Sequence, residues 1–214
     1  MSNNISLYIA AYNAEKTIEK SIKSILQQTL KPKEIIIIND CSTDKTLNLL
    51  KKFSQIKIIN NKKNYGLAKS RNIALKYSKY NLLASIDSDV VCKKNWLETL
   101  FNTMVKKKAD LIGGKLIDKY IKEPANHWRS YYLKQNWGDK QINNPQFVFG
   151  ANFLLDKKKI KNLNIKYNET FRTNGEDVNF SKVLKSKNCN LYYEPRALCY
   201  HYQFDDITSL SKRY

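Results

Sequence analysis

Glu34-Ile35-Ile36-Ile37-Ile38-Asn39-Asp40 sets four isoleucines in a row and then stops at an amide and a carboxylate. A half-solvated strand alternates apolar and polar side chains. A run with no polar alternation is apolar toward both faces, which predicts a strand covered on both sides, as in a parallel sheet. The same pattern recurs on either side. An apolar, β-prone run over 5–10 leads into Ala11-Tyr12-Asn13, and Leu82-Leu83-Ala84-Ser85-Ile86 leads into Asp87-Ser88-Asp89. A strand over 56–59 precedes Asn64 and Gly66, and another spans 109–113. Between the strands, apolar residues fall at helical spacing. Ile18, Ile22, Ile25 and Leu26 mark a helix over 14–28 with Asn13 as N-cap. Leu47 and Leu50 mark one that Ser42 or Thr43 opens, with Asp44 also placed to cap it. Leu67, Ala74 and Leu75 mark a third over 66–78, and Trp96, Leu97, Leu100, Phe101 and Met104 a fourth. Alternating strands and helices imply right-handed crossovers and an open, mostly parallel α/β sheet with helices on both faces. Ligands of such sheets bind beyond the carboxyl ends of the strands, where Tyr12, Asp40, Asn64, Asp87 and Asp89 stand.

Past residue 114 the alternation fades. Residues 120–149 are rich in aromatic side chains, among them Trp128. A strand is expected over 150–155, a helix opening at Asn174-Gly175-Glu176-Asp177, and two late strands over 191–193 and 197–202. No repeat and no Gly/Ser/Pro linker separates the halves, so 1–114 and 115–214 read as two lobes of one unit, the second the smaller.

Composition bounds the function. The chain of 214 residues carries 38 Lys+Arg against 19 Asp+Glu, a formal net charge of +19. That excess favours anionic partners without choosing among nucleic acid, anionic membrane or phosphorylated small molecules. No apolar run approaches the roughly 20 residues of a membrane-spanning helix, and Met1-Ser2-Asn3-Asn4-Ile5 lacks the features of a secretory signal. A cytoplasmic protein, peripheral at most on the cytoplasmic membrane face, is expected. Cys41, Cys92, Cys189 and Cys199 form no metal-ligand spacing and read as reduced, incidental thiols. The last residues, Ser211-Lys212-Arg213-Tyr214, bring no obvious stop to the fold and read as a catalytic domain trimmed from something longer.

Asp87-Ser88-Asp89 is the sharpest local feature. Alternate side chains at a strand end point the same way, so two carboxylates can face one ligand and suit Mg²⁺ or Mn²⁺ with phosphate oxygens. Asp40 can accept hydrogen bonds from a base or ribose, and Tyr12 can stack on a base. Arg71, one turn into a helix, can reach a diphosphate or pair with a crevice aspartate; a solvated helix face is the alternative. Glu176 and Asp177 open a helix, where acids complement the dipole, and one of them can act as a general base. His201, between two tyrosines, is packed or a third metal ligand.

In order along the chain, these stretches resemble glycosyltransferase family 2, of the GT-A fold: residues 6–15, 34–44, Asn64-Tyr65-Gly66-Leu67-Ala68-Lys69-Ser70-Arg71-Asn72, Asp87-Ser88-Asp89 and Glu176-Asp177. The resemblance implies inverting transfer of a sugar from a nucleotide-diphospho-sugar, by family analogy a UDP-sugar, to a hydroxyl of a glycan or lipid-linked acceptor. It implies that 1–114 binds the donor and 115–214 the acceptor. Donor contacts would come from Ala11, Tyr12, Glu15, Asp40, Arg71, Asp87 and Ser88. Asp89, with His201, would hold Mn²⁺ or Mg²⁺, and Asp177 would be the base. Asn152, Glu176 and Trp128 are assigned to the acceptor side. Cys41 stands where the family usually has glycine, and Ala10 where proline is common.

Two other functions are weighed. A sugar-phosphate nucleotidylyltransferase needs a Gly-rich phosphate loop after its first strand, and residues 11–16 contain no glycine. A polyanion-binding module would gather its basic residues on one face, whereas the lysines are scattered along the chain. No nucleic-acid partner is expected.

Overall fold

The structure is a computed structural model that describes residues 3–213. The readings at Met1, Ser2 and Tyr214 lie outside the described residues. The four-isoleucine run is β2 (Glu34–Asn39), flanked by β1 (Ile5–Ala11) and β3 (Lys57–Asn60), with β4 (Leu82–Asp87) beyond β1. All three pairings among these strands are parallel. The isoleucines divide strictly by parity. Ile35 and Ile37 enter one core with Ile5, Leu7, Ile9, Trp96 and Leu100, while Ile36 and Ile38 enter the other with Tyr8, Ala74, Phe153 and Phe180. Each fully buried isoleucine contributes about 1.5–3 kcal/mol of transfer free energy, and the period of two forces successive ones onto opposite faces.

Helices cover both faces. α1 (Ile18–Leu26) and α4 (Trp96–Lys107) pack on the first core, α3 (Leu67–Tyr77) and α7 (Glu176–Ser186) on the second. The short α2 (Thr46–Leu50) follows β2. The second half continues the same sheet. β8 (Asn152–Asp156) lies antiparallel between β4 and β6 (Leu111–Asp118), and β9 (Leu191–His201) runs parallel to β6. The order is β3-β2-β1-β4-β8-β6-β9-β5, with β5 (Val90–Cys92) antiparallel at the edge and β7 (Ile142–Asn143) also on β9. The sheet is parallel through its first four strands and mixed beyond them.

Several local expectations change. Asn13 does not cap α1, whose N-cap position is Thr17. It sits at φ +49°, accepts the Thr43 N–H at 2.8 Å and donates its own N–H to Ser42 at 3.0 Å, tying two loops together. Ser42 and Thr43 are therefore not caps either; α2 begins at Thr46, whose N–H donates to Asp44. The two late strands are one, β9, interrupted by a register shift: Gly114 faces Glu194 but Lys115 faces Leu198. Pro195 has no N–H for the ladder, and the Glu194 carboxylate holds the bulge through three hydrogen bonds from Arg196. Cys92 and Cys199 face each other as buried free thiols across β5 and β9. Among the described residues no helix is long and apolar enough to cross a membrane. Three helices were not anticipated: α5 (Pro124–Tyr132), α6 (Lys157–Asn162) and α8 (Ile207–Arg213).

Candidate active site

The parallel strands β1, β2 and β4 deliver Ala11, Asp40 and Asp87 to one edge of the sheet. There Ala11, Tyr12, Asp40, Asn64, Ser70 and Arg172 line a pocket of about 280 Å³. Asp40 is buried and accepts from the Asn61 amide (2.7 Å) and from the N–H groups of Tyr65 (3.0 Å) and Gly66 (2.8 Å). Its carboxylate thereby shapes the loop that forms the pocket wall. Gly66 has φ +89° and ψ 171°, a backbone region essentially confined to glycine. A Cβ there would lie 2.9 Å from the Arg172 carbonyl oxygen, which also accepts the Leu67 N–H at 2.8 Å. The segment before α7 is thus stapled to the start of α3. Tyr12 stands half exposed at the rim, and the buried Ser70 hydroxyl in this pocket has no hydrogen-bond partner.

Leu67 and Thr173 also line an adjoining cleft of about 350 Å³, which contains Arg71, Asp87, Phe149, Glu176 and Asp177. Arg71 is 1% exposed, so the solvated-face alternative does not hold. Its guanidinium donates to Tyr8 Oη (2.9 Å), Ser85 Oγ (3.2 Å), the Gly150 carbonyl (2.8 Å), Glu176 (3.2 Å) and Asp87 (3.3 Å). Burial pushes the Glu176 carboxyl above its usual range, and Arg71 opposes that rise. Gly150 admits the guanidinium, because a Cβ would stand 2.5 Å from its nitrogen. Asp177 accepts the Gly150 N–H (2.8 Å) on one oxygen and the Val178 N–H (2.8 Å) on the other, which fixes its orientation in the cleft.

A second ionic chain adjoins the turn after β4. Ser21 Oγ donates to the Ser88 carbonyl (2.8 Å), and Asp89 lies 3.4 Å from His201 Nε2. His201 Nδ1 is 3.1 Å from Asp118, which pairs with Arg129 at 3.0 Å; Arg129 pairs in turn with the buried Asp205. The register of β5, β6 and β9 brings these groups together, since Val90 and Asp118 both face His201. Burial disfavours a charged imidazole, but Asp89 and Asp118 outweigh it and push His201 up to about 10. Among the described residues no three acidic, His or Cys side chains form a closed metal cage. Asp89 and His201 stand as an ion pair, and a divalent ion could be held between them only with the imidazole deprotonated and the rest of its shell completed by phosphate oxygens.

Four assigned residues make contacts of another kind. Glu15 accepts the Lys45 N–H at 3.0 Å and lines neither depression. Asn152 is fully buried, accepting the Trp96 indole N–H (2.6 Å) and donating to the carbonyls of Lys115 and Ala197; no acceptor can reach it. Glu176 is buried against Arg71 at the wall of the cleft. Trp128 is exposed on α5, packed on Tyr132, and lines neither depression. Ser70, Gly150, Arg172 and Asp118 were not anticipated. For Arg172 a signal existed, a cation in the loop just ahead of Glu176-Asp177; Asp118 is one acid at the end of an aliphatic strand and gives none.

The model of the family described as glycosyl transferase family 2 matches residues 6–184. An uncharacterized glycosyltransferase of Haemophilus influenzae is 30% identical over 187 residues, covering 78% of this chain and 58% of that protein. The UDP-Glc:alpha-D-GlcNAc-diphosphoundecaprenol beta-1,3-glucosyltransferase WfaP of Escherichia coli is 31% identical over 215 residues, covering 90% of this chain and 78% of that protein. Among solved structures, S. aureus TarS 1-349 in complex with UDP-GlcNAc superposes with a TM-score of 0.79 at 20% identity, over 99% of this chain and 61% of that one. At that identity the likeness concerns the fold.

Proposed function

The chain belongs to glycosyl transferase family 2, and from that premise we propose that it transfers a sugar from a UDP-sugar to a hydroxyl of a lipid-linked or glycan acceptor, with inversion. The observation that carries the reading is the adjacency of the two depressions: a pocket at Asp40 and Tyr12 shares Leu67 and Thr173 with the cleft that holds Asp87 and Asp177. A nucleotide-sugar has the same two-part form. The glucosyltransferase WfaP, named for a diphosphoundecaprenol-linked sugar acceptor, supports the lipid-linked acceptor.

The nucleoside lies in the first pocket, with Tyr12 on its base, Ala11 at its floor and the wall held by Asp40. The sugar and diphosphate extend past Asp87 and Ser88 into the cleft. Asp177 takes the proton of the acceptor hydroxyl as its oxygen bonds to the anomeric carbon, while the bond from that carbon to the diphosphate oxygen breaks and the nucleoside diphosphate departs. A positioned base of this kind supplies about 10²–10⁴-fold. Arg71, locked between Glu176 and Asp87, fixes the cleft before the donor arrives, which spares reorganisation during the reaction. A divalent ion held by Asp89 and His201 would supply electrostatic stabilisation of the leaving diphosphate.

A melting-temperature screen of nucleotide-sugars with and without Mn²⁺ tests the reading. UDP-sugars should stabilise the protein above other nucleotide-sugars, and more with the metal. Equal or absent shifts across all bases would contradict it.

A further inference from the structure

Among the described residues ten large hydrophobic side chains are exposed, and seven of them fall within residues 120–132 and 204–207. Those two segments form one surface. The Tyr120 ring meets Tyr202 and Phe204 at centroid distances of 5.9 Å each, and Asn126 exchanges hydrogen bonds with the main chain of Asp205. α5 turns Ala125, Asn126 and Arg129 inward. Its outer face therefore presents Trp128, Tyr131 and Tyr132, where a helix facing only water carries charged groups. Tyr131 and Tyr132 are 63% and 65% exposed, and Phe204 and Ile207 are 59% and 76% exposed, so the face is open to a partner.

Lysines frame it. The Lys20, Lys119 and Lys134 ammonium groups lie over the rings of Tyr202, Tyr200 and Tyr131 at 5.3, 4.5 and 5.2 Å, and Lys122 is exposed beside Ile121. The exposed acids of the two segments are Glu123 and Asp206. Amphipathic rings with a lysine border are the composition of surfaces that rest at lipid-headgroup level. A second copy of this chain is a poor occupant, because a two-fold contact would bring the same lysines against each other. Lys134, whose ammonium lies over Tyr131, also lines the cleft together with Leu133 just after α5, so the face borders the cleft.

We propose that the aromatic face of α5 and residues 202–207 docks on an anionic phospholipid bilayer, presenting a lipid-linked acceptor to the adjoining cleft. The inference rests on the lipid-linked reading of the acceptor for its purpose; the docking itself stands on the surface. Flotation with phosphatidylcholine vesicles, plain or containing phosphatidylglycerol, at physiological ionic strength reads it directly. The unaltered protein should float with the anionic vesicles only. Tyr132→Ser/Phe204→Ser should bind them at least about tenfold more weakly while keeping its melting-temperature shift with UDP-sugars. Equal behaviour toward both vesicle types, unchanged binding by the double variant, or a concentration-dependent dimer that the variant dissolves would overturn it. Anionic-vesicle binding without any UDP-sugar stabilisation would leave the docking standing and remove the proposed donor.

Discussion

Arg71 joins residues far apart in sequence: Tyr8 and Ser85 from two strands, Gly150 from a loop, and Glu176 from the start of α7. Removing the guanidinium leaves buried carboxylates without their cation, a loss of about 3–5 kcal/mol. Arg71→Met should show that drop in urea unfolding, and Arg71→Met/Glu176→Leu should recover part of it by removing the stranded charge. A loss under about 1 kcal/mol in the single variant would mean that Arg71 does not organise the cleft. Asp89 carries a different expectation. Asp89→Ala should abolish the Mn²⁺ dependence of donor affinity measured by calorimetry; an unchanged metal dependence would move the ion elsewhere.

At the level of elements, the parity of Ile35 to Ile38 was legible because a fully covered strand leaves no polar positions, and that alone places β2 inside the sheet. α5 was not legible, since its inward face is Ala125, Asn126 and Arg129, an ion-paired seam with no apolar period to read. β5 and β7 are three and two residues long and take their conformation from β9. The pocket at Asp40 was visible as residue types at strand ends, but its Arg172 wall was not, because that contact joins loops far apart in the chain and depends on Gly66. Gly66→Ala forces a side chain into a glycine region at about 1–3 kcal/mol and pushes on Arg172. Its expected signature is weaker UDP-sugar binding together with lower stability, read by calorimetry and urea titration. The β9 bulge supplies a pH test. Burial alone would raise the Glu194 carboxyl, but hydrogen bonds from Arg196, Gln141 and Thr103 prevail and lower it to about 2. A lowered folded-state value stabilises above the ordinary range and is lost as pH falls toward 2. Glu194→Gln should therefore flatten the decline in melting temperature between about pH 4.5 and 2.

For the whole molecule, one sheet threads both halves of the chain, with β8 inserted between β4 and β6 and both cores drawing on residues from each half. Far-UV circular dichroism and tryptophan fluorescence should report one coincident unfolding transition; separated transitions would show two independent lobes. The net charge of +19 is carried mostly outside the two depressions, so it bears on where the molecule works more than on its chemistry. The proposed chemistry turns on one carboxylate. Asp177→Asn keeps the shape and one of the two main-chain hydrogen bonds but cannot take a proton. Steady-state transfer from the UDP-sugar that stabilises the protein, measured beside donor affinity, tests the account most directly. The predicted result is a loss of about 10²–10⁴ in kcat with donor Kd unchanged. Transfer within a few-fold of the unaltered protein, or donor affinity falling as far as kcat, would contradict it.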